Sequence, residues 1–440
     1  MEINMTKVLI VSLGCSKNLV DSEIMTGELI KNGFEITGDA ESADVIVVNT
    51  CAFIDEAKSE AIDTILEMNT YRDRGHLKKL IVTGCMAERY KDEILRELPE
   101  VDAIVGVSRF DEIASVIKDE GDTFLGNENA AYPEQAKREI STPFYTAYLK
   151  IAEGCDNNCT YCAIPKIRGK FRSRKIEDIV SEAKKLAEDG VLELNVIAQD
   201  TAYYGTDLYG EPRLAQLLEK LCKIDGIEWI RVLYMYPERI DEKLLKVFVE
   251  NKKLARYFDI PIQHINDEIL KKMGRRTCRK EILEKIELIR KVLPDAVLRT
   301  SLIAGFPGET ERQHEELCEF IKEVKFDRLG VFAYSREEGT PAYRLPNQID
   351  EETKILRRDR LMEIQNWISK ELCKRFIGKI LPVLAEEMID GVMCGRSIYD
   401  APEVDGNVYF EGGEENMLGE IRNVLIKDAD DYDLTGVYAE

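Results

Sequence analysis

"EGCDNNCTYCAIP", residues 153–165, sets cysteines at 155, 159 and 162 directly behind an apolar run, "AYLKIA", and closes on Pro165. From Tyr145 onward such runs recur: "AYLKIAEG", "ELNVIAQD", "WIRVLYMYP", "RYFDIPIQ", "AVLRTSLIAGF" and "RLGVFAYS", separated by amphipathic stretches such as "KIEDIVSEAKKLAEDG" and "ERQHEELCEFIKEVK". Strands alternating with helices predict a parallel sheet, here six βα units, two short of a closed eight-fold barrel. In such folds the loops after the strands build the active site, so the cysteine loop after the first strand is placed for chemistry. Structural zinc closes four ligands, whereas this loop offers three in an uneven C-x3-C-x2-C spacing, with no histidine nearer than His76 or His264. Three thiolates on a four-iron cluster leave one iron without a protein ligand, which is useful only if something else binds there.

Upstream, the chain repeats a simpler unit. "KVLIVSLGC", "ADVIVVNTC" and "KKLIVTGCM" are β-branched apolar runs that each end near a cysteine and lead into a helical pattern, the first of which stops at Gly33. Cys15, Cys51 and Cys85 therefore stand just past three strand ends, and in an open α/β sheet the carboxyl ends of neighbouring strands share one crevice. Single buried cysteines are common. Three at equivalent positions predict a second three-thiol site, again with one iron open. The cysteines at 222, 278, 318, 373 and 394 lack ligand spacing and read as ordinary thiols.

These patterns divide the chain into four parts. Residues 1–120 form an N-terminal parallel α/β domain that includes a fourth strand, "VDAIVGV". Residues 121–143 lose periodicity and read as a linker. Residues 144–373 form the partial (β/α)6 barrel with its long final helix. Residues 374–440 alternate in short runs rich in Gly, Asp and Asn, as a small antiparallel β-barrel does.

Composition narrows the class. The 440 residues are 44% hydrophobic, enough for substantial cores, yet no apolar run approaches the roughly 20 residues of a membrane span. The first residues read as a strand rather than a signal peptide. Eleven cysteines, an odd number, fit reduced thiols and metal ligands rather than a secreted disulfide framework, so a cytoplasmic location is expected. Sixty-one basic against 83 acidic residues give a net charge of −22, which opposes polyanions such as RNA and suits a basic partner.

Tyr161 before the last cysteine makes the loop resemble the signature of radical S-adenosylmethionine enzymes. With the N-terminal three-cysteine domain, and a C-terminal part that resembles a TRAM domain, the whole chain is similar to the methylthiotransferase family. "VSLGCSKNLVDSE", "VIAQDTAYYG", "DIPIQHIND", "RTSLIAGFPGET" and "VFAYSREEGTPA" resemble its ribosomal-protein branch, whereas the tRNA branch tends toward "YGCQMN" and "GQNV". The resemblance implies two [4Fe-4S] clusters. S-adenosylmethionine would chelate the open iron of the Cys155–Cys159–Cys162 cluster and be split to a 5′-deoxyadenosyl radical. The cluster on Cys15, Cys51 and Cys85 would deliver sulfur, and a methylthio group would join the β-carbon of an aspartate of ribosomal protein S12.

Other cofactor contacts follow from position. Gln199 and Asp200 stand where relatives carry a glycine-rich contact to the methionine moiety, a departure from the pattern. Gln263, Arg299 and Gly305 of "IAGFPGE" lie at later strand ends, in reach of a cofactor crossing the barrel. Arg168 and Arg174 are candidates for its carboxylate, with a solvated surface role as the rival for each arginine and a plain turn as the rival for "GFPGE".

The choice of branch also rests on charge. Residues 374–440 hold 6 basic and 15 acidic residues, net −9, and Glu386, Glu387, Asp428, Asp430 and Asp431 are expected to face a basic ribosomal protein rather than tRNA. The alternatives are a tRNA adenosine methylthiotransferase, or, in another class, an iron–sulfur electron-transfer protein or a zinc scaffold. No segment identifies the electron donor or the sulfur source.

Overall fold

The structure, a computed structural model, describes residues 5–118, 123–124, 130, 132–134 and 136–439. Part of the stretch read as a linker, residues 121–122, 125–129, 131 and 135, lies outside these residues. Strands β1 (Lys7–Ser12), β2 (Glu35–Ile36), β3 (Val45–Thr50), β4 (Lys79–Gly84), β5 (Ala103–Val105) and β6 (Thr123–Phe124) make one parallel sheet in the order β2-β1-β3-β4-β5-β6. β6 falls within the expected linker and extends the sheet at its edge. β3 is buried at every position, as the β-branched sequence of a strand covered on both faces requires. Helix α1 (Ser16–Lys31) covers one face with Val20, Ile24 and Leu29, and Gly33 takes the left-handed conformation that ends it.

The barrel strands β7 (Thr146–Lys150), β10 (Glu193–Ile197), β11 (Trp229–Val232), β12 (Tyr257–Asp259), β13 (Val297–Ala304) and β14 (Arg328–Ala333) are the six expected. A small ribbon, β8 (Ala152–Glu153) with β9 (Arg172–Ser173), frames the cysteine loop. The six do not hydrogen-bond as one sheet: they form two parallel sheets of three, β11-β10-β7 and β12-β13-β14, joined at the seam by the bridge between Ile230 and Leu254 and by the Met235 amide, which donates to the Asp259 carbonyl at 2.9 Å. The long helix Glu351–Cys373 packs back on β14 and β13.

Strands β15 (Ile380–Ile389), β16 (Val392–Ser397), β17 (Val408–Glu411), β18 (Ile421–Ala429) and β19 (Leu434–Tyr438) close into a barrel. All its pairings are antiparallel except β17 with β19. Its 397–407 loop docks where the central strands begin. Arg396 reaches Glu193, the first residue of β10, at 2.8 Å. Arg231 binds Glu193 at 3.0 Å and the Ile398 carbonyl at 3.0 Å. Tyr257 donates to Asp405 and Arg328 to Asp400, each at 2.5 Å. This end of the central domain is thus capped by the C-terminal barrel, and the cysteines lie at the other. Among the described residues no helix is long and apolar enough to cross a membrane.

Candidate active site

The second cysteine group is built by the N-terminal sheet. β1, β3 and β4 are neighbours in register, Ser12 opposite Asn49 and Thr50 opposite Gly84, so the residues just beyond them emerge together. Cys51 follows β3 directly, Cys85 opens the helix Cys85–Arg89, and Cys15 precedes α1. Two glycines permit the approach. Gly14, at φ +88°, lies so close that a Cβ there would sit 2.6 Å from the Cys51 Cβ, and at Gly84, φ +91°, it would sit 2.3 Å from Asn49 Oδ1. Asn18 holds the loops together by donating to the Leu13 and Thr50 carbonyls at 3.0 and 2.9 Å. Burial raises the thiol pKa of Cys51, and that of Cys85 to about 12, with Cys15 adding like-charge repulsion to both.

The first group occupies the loop after β8. The Cys155 amide donates to the Gly169 carbonyl at 3.1 Å, the Cys162 amide to the Cys159 carbonyl at 3.1 Å, and Thr160 is tied through its backbone to Met273 and Ala342. Asn157 donates to Cys155 Sγ at 3.5 Å and to Asp200 at 2.8 Å. Tyr236 places its hydroxyl 3.4 Å from Cys159 Sγ, while Arg275 lies 3.9 Å from the same sulfur and stacks on the Tyr236 ring. Burial pushes Cys155 up to about 11 and Cys162 higher still. Thiols so placed stay protonated until a metal centre compensates the charge, so metal uptake here releases protons.

The two groups face each other. The helix Cys85–Arg89 packs against Ile164–Ile167, which follows Cys162, with Cys85, Met86 and Ala87 sharing a core with Ala163 and Ile167. Arg168 fills the remaining gap. It is 1% exposed, binds Asp21 at 3.0 Å, Glu153 at 2.9 Å and Asn18 at 2.6 Å, and its positive charge acts on Cys85 and Cys51. Among the described residues no three acidic, histidine or cysteine side chains stand close enough to hold a single metal ion. An iron–sulfur cluster takes thiolate donors, and both cysteine groups offer all-thiol donor sets.

The remaining candidates divide. Gln199 donates to Glu153 at 2.9 Å, and its buried carbonyl oxygen has no partner; Asp200 likewise leaves one oxygen unmatched, beside Arg239 and Asn157. Burial raises the Asp200 pKa. Gln263 sits at φ +72° in the segment beyond β12, bridged to Leu302, and Gly305 opens a loop and donates its amide to Glu309 at 2.8 Å. Tyr161 packs with Met273, Phe306 and Tyr334 and supports the loop from beneath. Three arginines are corrected. Arg168 and Arg174 are not surface groups, and neither is free for a cofactor carboxylate. Arg174 is bound by Glu134, Glu182 and the Lys150 carbonyl and stacks on Tyr132. Arg299 is held by Asp259 at 2.8 Å. Asn157, Tyr236, Arg239 and Arg275 escaped the sequence reading. Asn157 lies inside the cysteine loop and Tyr236 just past a strand end, but nothing in "MGRR" marks Arg275.

Comparison with known proteins agrees with this geometry. Residues 7–106 match the model of an uncharacterised protein family, UPF0004, residues 149–321 the radical SAM superfamily and residues 377–438 the TRAM domain. The chain is 56% identical over 437 residues to the ribosomal protein uS12 methylthiotransferase RimO of Clostridioides difficile, covering 98% of each chain. It is 52% identical over 443 residues to the protein of that name from Acetivibrio thermocellus, again 98% of each. The cobalamin- and [4Fe-4S]-bound radical S-adenosylmethionine methyltransferase TsrM of Kitasatospora setae shares the fold at 15% identity, with a TM-score of 0.56 over 88% of this chain and 81% of that one. Fold and cysteine loop together define a radical S-adenosylmethionine enzyme, with the S-adenosylmethionine and [4Fe-4S] cluster that this class implies. The chain belongs to the RimO family of ribosomal protein uS12 methylthiotransferases.

Proposed function

We propose that this enzyme places a methylthio group on the β-carbon of an aspartate of uS12 and uses two [4Fe-4S] clusters, one on Cys155, Cys159 and Cys162 and one on Cys15, Cys51 and Cys85. The observation that supports the reading is the packing of the helix Cys85–Arg89 on the helix Ile164–Ile167, which brings the Cys85 end of one thiol group near the Cys162 end of the other. An aliphatic C–H has no usable acidity, so the bound S-adenosylmethionine and its cluster supply the one-electron chemistry that removes the hydrogen. The chain's own residues supply position and field. Asn157, Tyr236 and Arg275 present donors to Cys155 and Cys159 and stabilise their thiolates. Gln199 and Asp200 offer unmatched buried oxygens to the ammonium end of the cofactor, with Gln263, Gly305 and Tyr161 shaping the wall around it. The sulfur source and the electron donor lie outside this chain's recognisable motifs.

The test is anaerobic reconstitution with iron and sulfide, then reduction with S-adenosylmethionine and purified uS12. About eight irons per chain, 5′-deoxyadenosine and a methylthio mass increase on one aspartate are expected. About four irons per chain would overturn the two-cluster assignment.

A further inference from the structure

We infer that Lys17 holds the side-chain carboxylate of the substrate aspartate in the cleft between the two cysteine groups, an inference that rests on the aspartate reading above. Lys17 lies in the first turn of α1, two residues past Cys15, and is only 6% exposed. Among the described residues it has no carboxylate within ion-pair distance and no hydrogen bond. Its Nζ instead lies 3.2 Å from the centroid of the Tyr234 ring. Neighbouring buried cations are matched: Lys150 and Arg168 share Asp21 and Glu153, and Arg138 has Glu23 and Glu182. A ring face returns only part of the hydration an ammonium loses on burial, so this group is poised for an anion.

Its position says which anion. Tyr234 stands two residues before Tyr236, whose hydroxyl touches Cys159, so the ammonium spans from the Cys15 helix to the segment that reaches the other thiol group. Tyr234 is held at φ +62°, unusual for an aromatic residue. Its amide donates to Asp259 at 2.9 Å and its carbonyl accepts from the Thr201 amide at 3.0 Å. The ring, and the lysine on it, are thus fixed by the barrel. A net charge of −22 makes the protein's overall field unfavourable to a carboxylate. A buried lysine in the cleft reverses that locally, and a carboxylate anchored there leaves the β-carbon one bond away and held for hydrogen removal.

The test uses reconstituted holoenzyme with S-adenosylmethionine, Lys17→Met and Lys17→Arg variants, and uS12 carrying either the native aspartate or asparagine at the modified position. Lys17→Met is expected to weaken binding and raise KM for the aspartate protein about 10- to 100-fold, the worth of one charge-assisted hydrogen bond. It should change binding of the asparagine protein less than about threefold, and Lys17→Arg should recover most of the loss. Iron content and S-adenosylmethionine affinity report a folded site and stay at the wild-type level. Equal losses on both uS12 proteins, or a fall in S-adenosylmethionine affinity, would overturn the assignment, the latter because the lysine would then serve the cofactor's carboxylate. Failure of the wild type to modify uS12 would instead sink the aspartate reading, independently of Lys17.

Discussion

Arg168 reaches across from the barrel to Asp21 of the N-terminal domain, Nη2 to Oδ2 at 3.0 Å, and so ties the two cysteine-bearing domains at the point where their thiol groups face. Lys150 binds the same carboxylate, and Glu153 closes the set from the other side. Replacing Arg168 with methionine leaves the buried carboxylates of Asp21 and Glu153 to share Lys150 alone. It is expected to cost about 3–5 kcal/mol in unfolding experiments on the apoprotein. A variant as stable as wild type would show that the domains do not depend on this bridge.

The two cysteine groups are expected to separate by function. Cys159→Ala should abolish 5′-deoxyadenosine formation, whereas Cys51→Ala should retain it, keep about four irons per chain and yield no methylthio product. Iron assay and mass spectrometry of uS12 read both outcomes. Normal product from Cys51→Ala would refute the division of labour.

The C-terminal barrel is expected to attract uS12 by charge, through a smaller set of residues than sequence suggested. Glu386 is paired with Arg396, and Asp430 and Asp431 with Lys370, so these acids serve their own chain. Glu387, Glu411 and Asp428 are exposed and make no ion pair among the described residues. Changing these three to lysine should weaken uS12 binding several-fold at low salt, with the difference shrinking as ionic strength rises toward a Debye length of about 8 Å. A salt-independent effect would point away from electrostatic attraction.

Acid sensitivity should centre on Glu309. His264 and His314 approach its carboxylate to 3.8 and 3.6 Å, with Arg357 at 3.2 Å. Burial lowers His264 to about 3 and His314 to about 4, and raises Glu309 to about 7. Each histidine binds fewer protons folded than unfolded, so its contribution is complete above about pH 6.5 and lost as pH falls, about 2 kcal/mol each by pH 5. Glu309 acts in the opposite sense: the folded carboxyl takes up a proton between pH 7 and 4.5 that the unfolded one does not, which returns about 2 kcal/mol. The midpoint of urea unfolding should therefore fall modestly from pH 7 to 5 in the wild type and more steeply in Glu309→Gln. A shallower fall in the variant would contradict the assigned burial.

The strands, and the positions of the cysteines just past their ends, were legible because both announce themselves locally: a β-branched run has period and length, and C-x3-C-x2-C has spacing. It failed on the arginines. Whether Arg168 and Arg174 meet cofactor or carboxylate depends on Asp21, Glu134 and Glu182, partners that lie 147, 40 and 8 residues away and that no local pattern couples. The seam between the two three-stranded sheets was invisible for the same reason. "WIRVLYMYP" and "RYFDIPIQ" read as neighbouring strands, and nothing in either run marks the break between the sheets they belong to.

The capping of the central domain by residues 397–407 orders events during synthesis. Glu193, Arg328 and Tyr257 are all translated well before Arg396, Asp400 and Asp405, the groups that complete their ion pairs and hydrogen bonds. A nascent chain that has emerged only as far as the long helix carries these charged and polar groups at an uncovered mouth, open to water. Final closure of this end of the catalytic domain therefore waits on the last stretch of polypeptide, and a chain cut short before residue 396 leaves Glu193, Arg328 and Tyr257 without these partners.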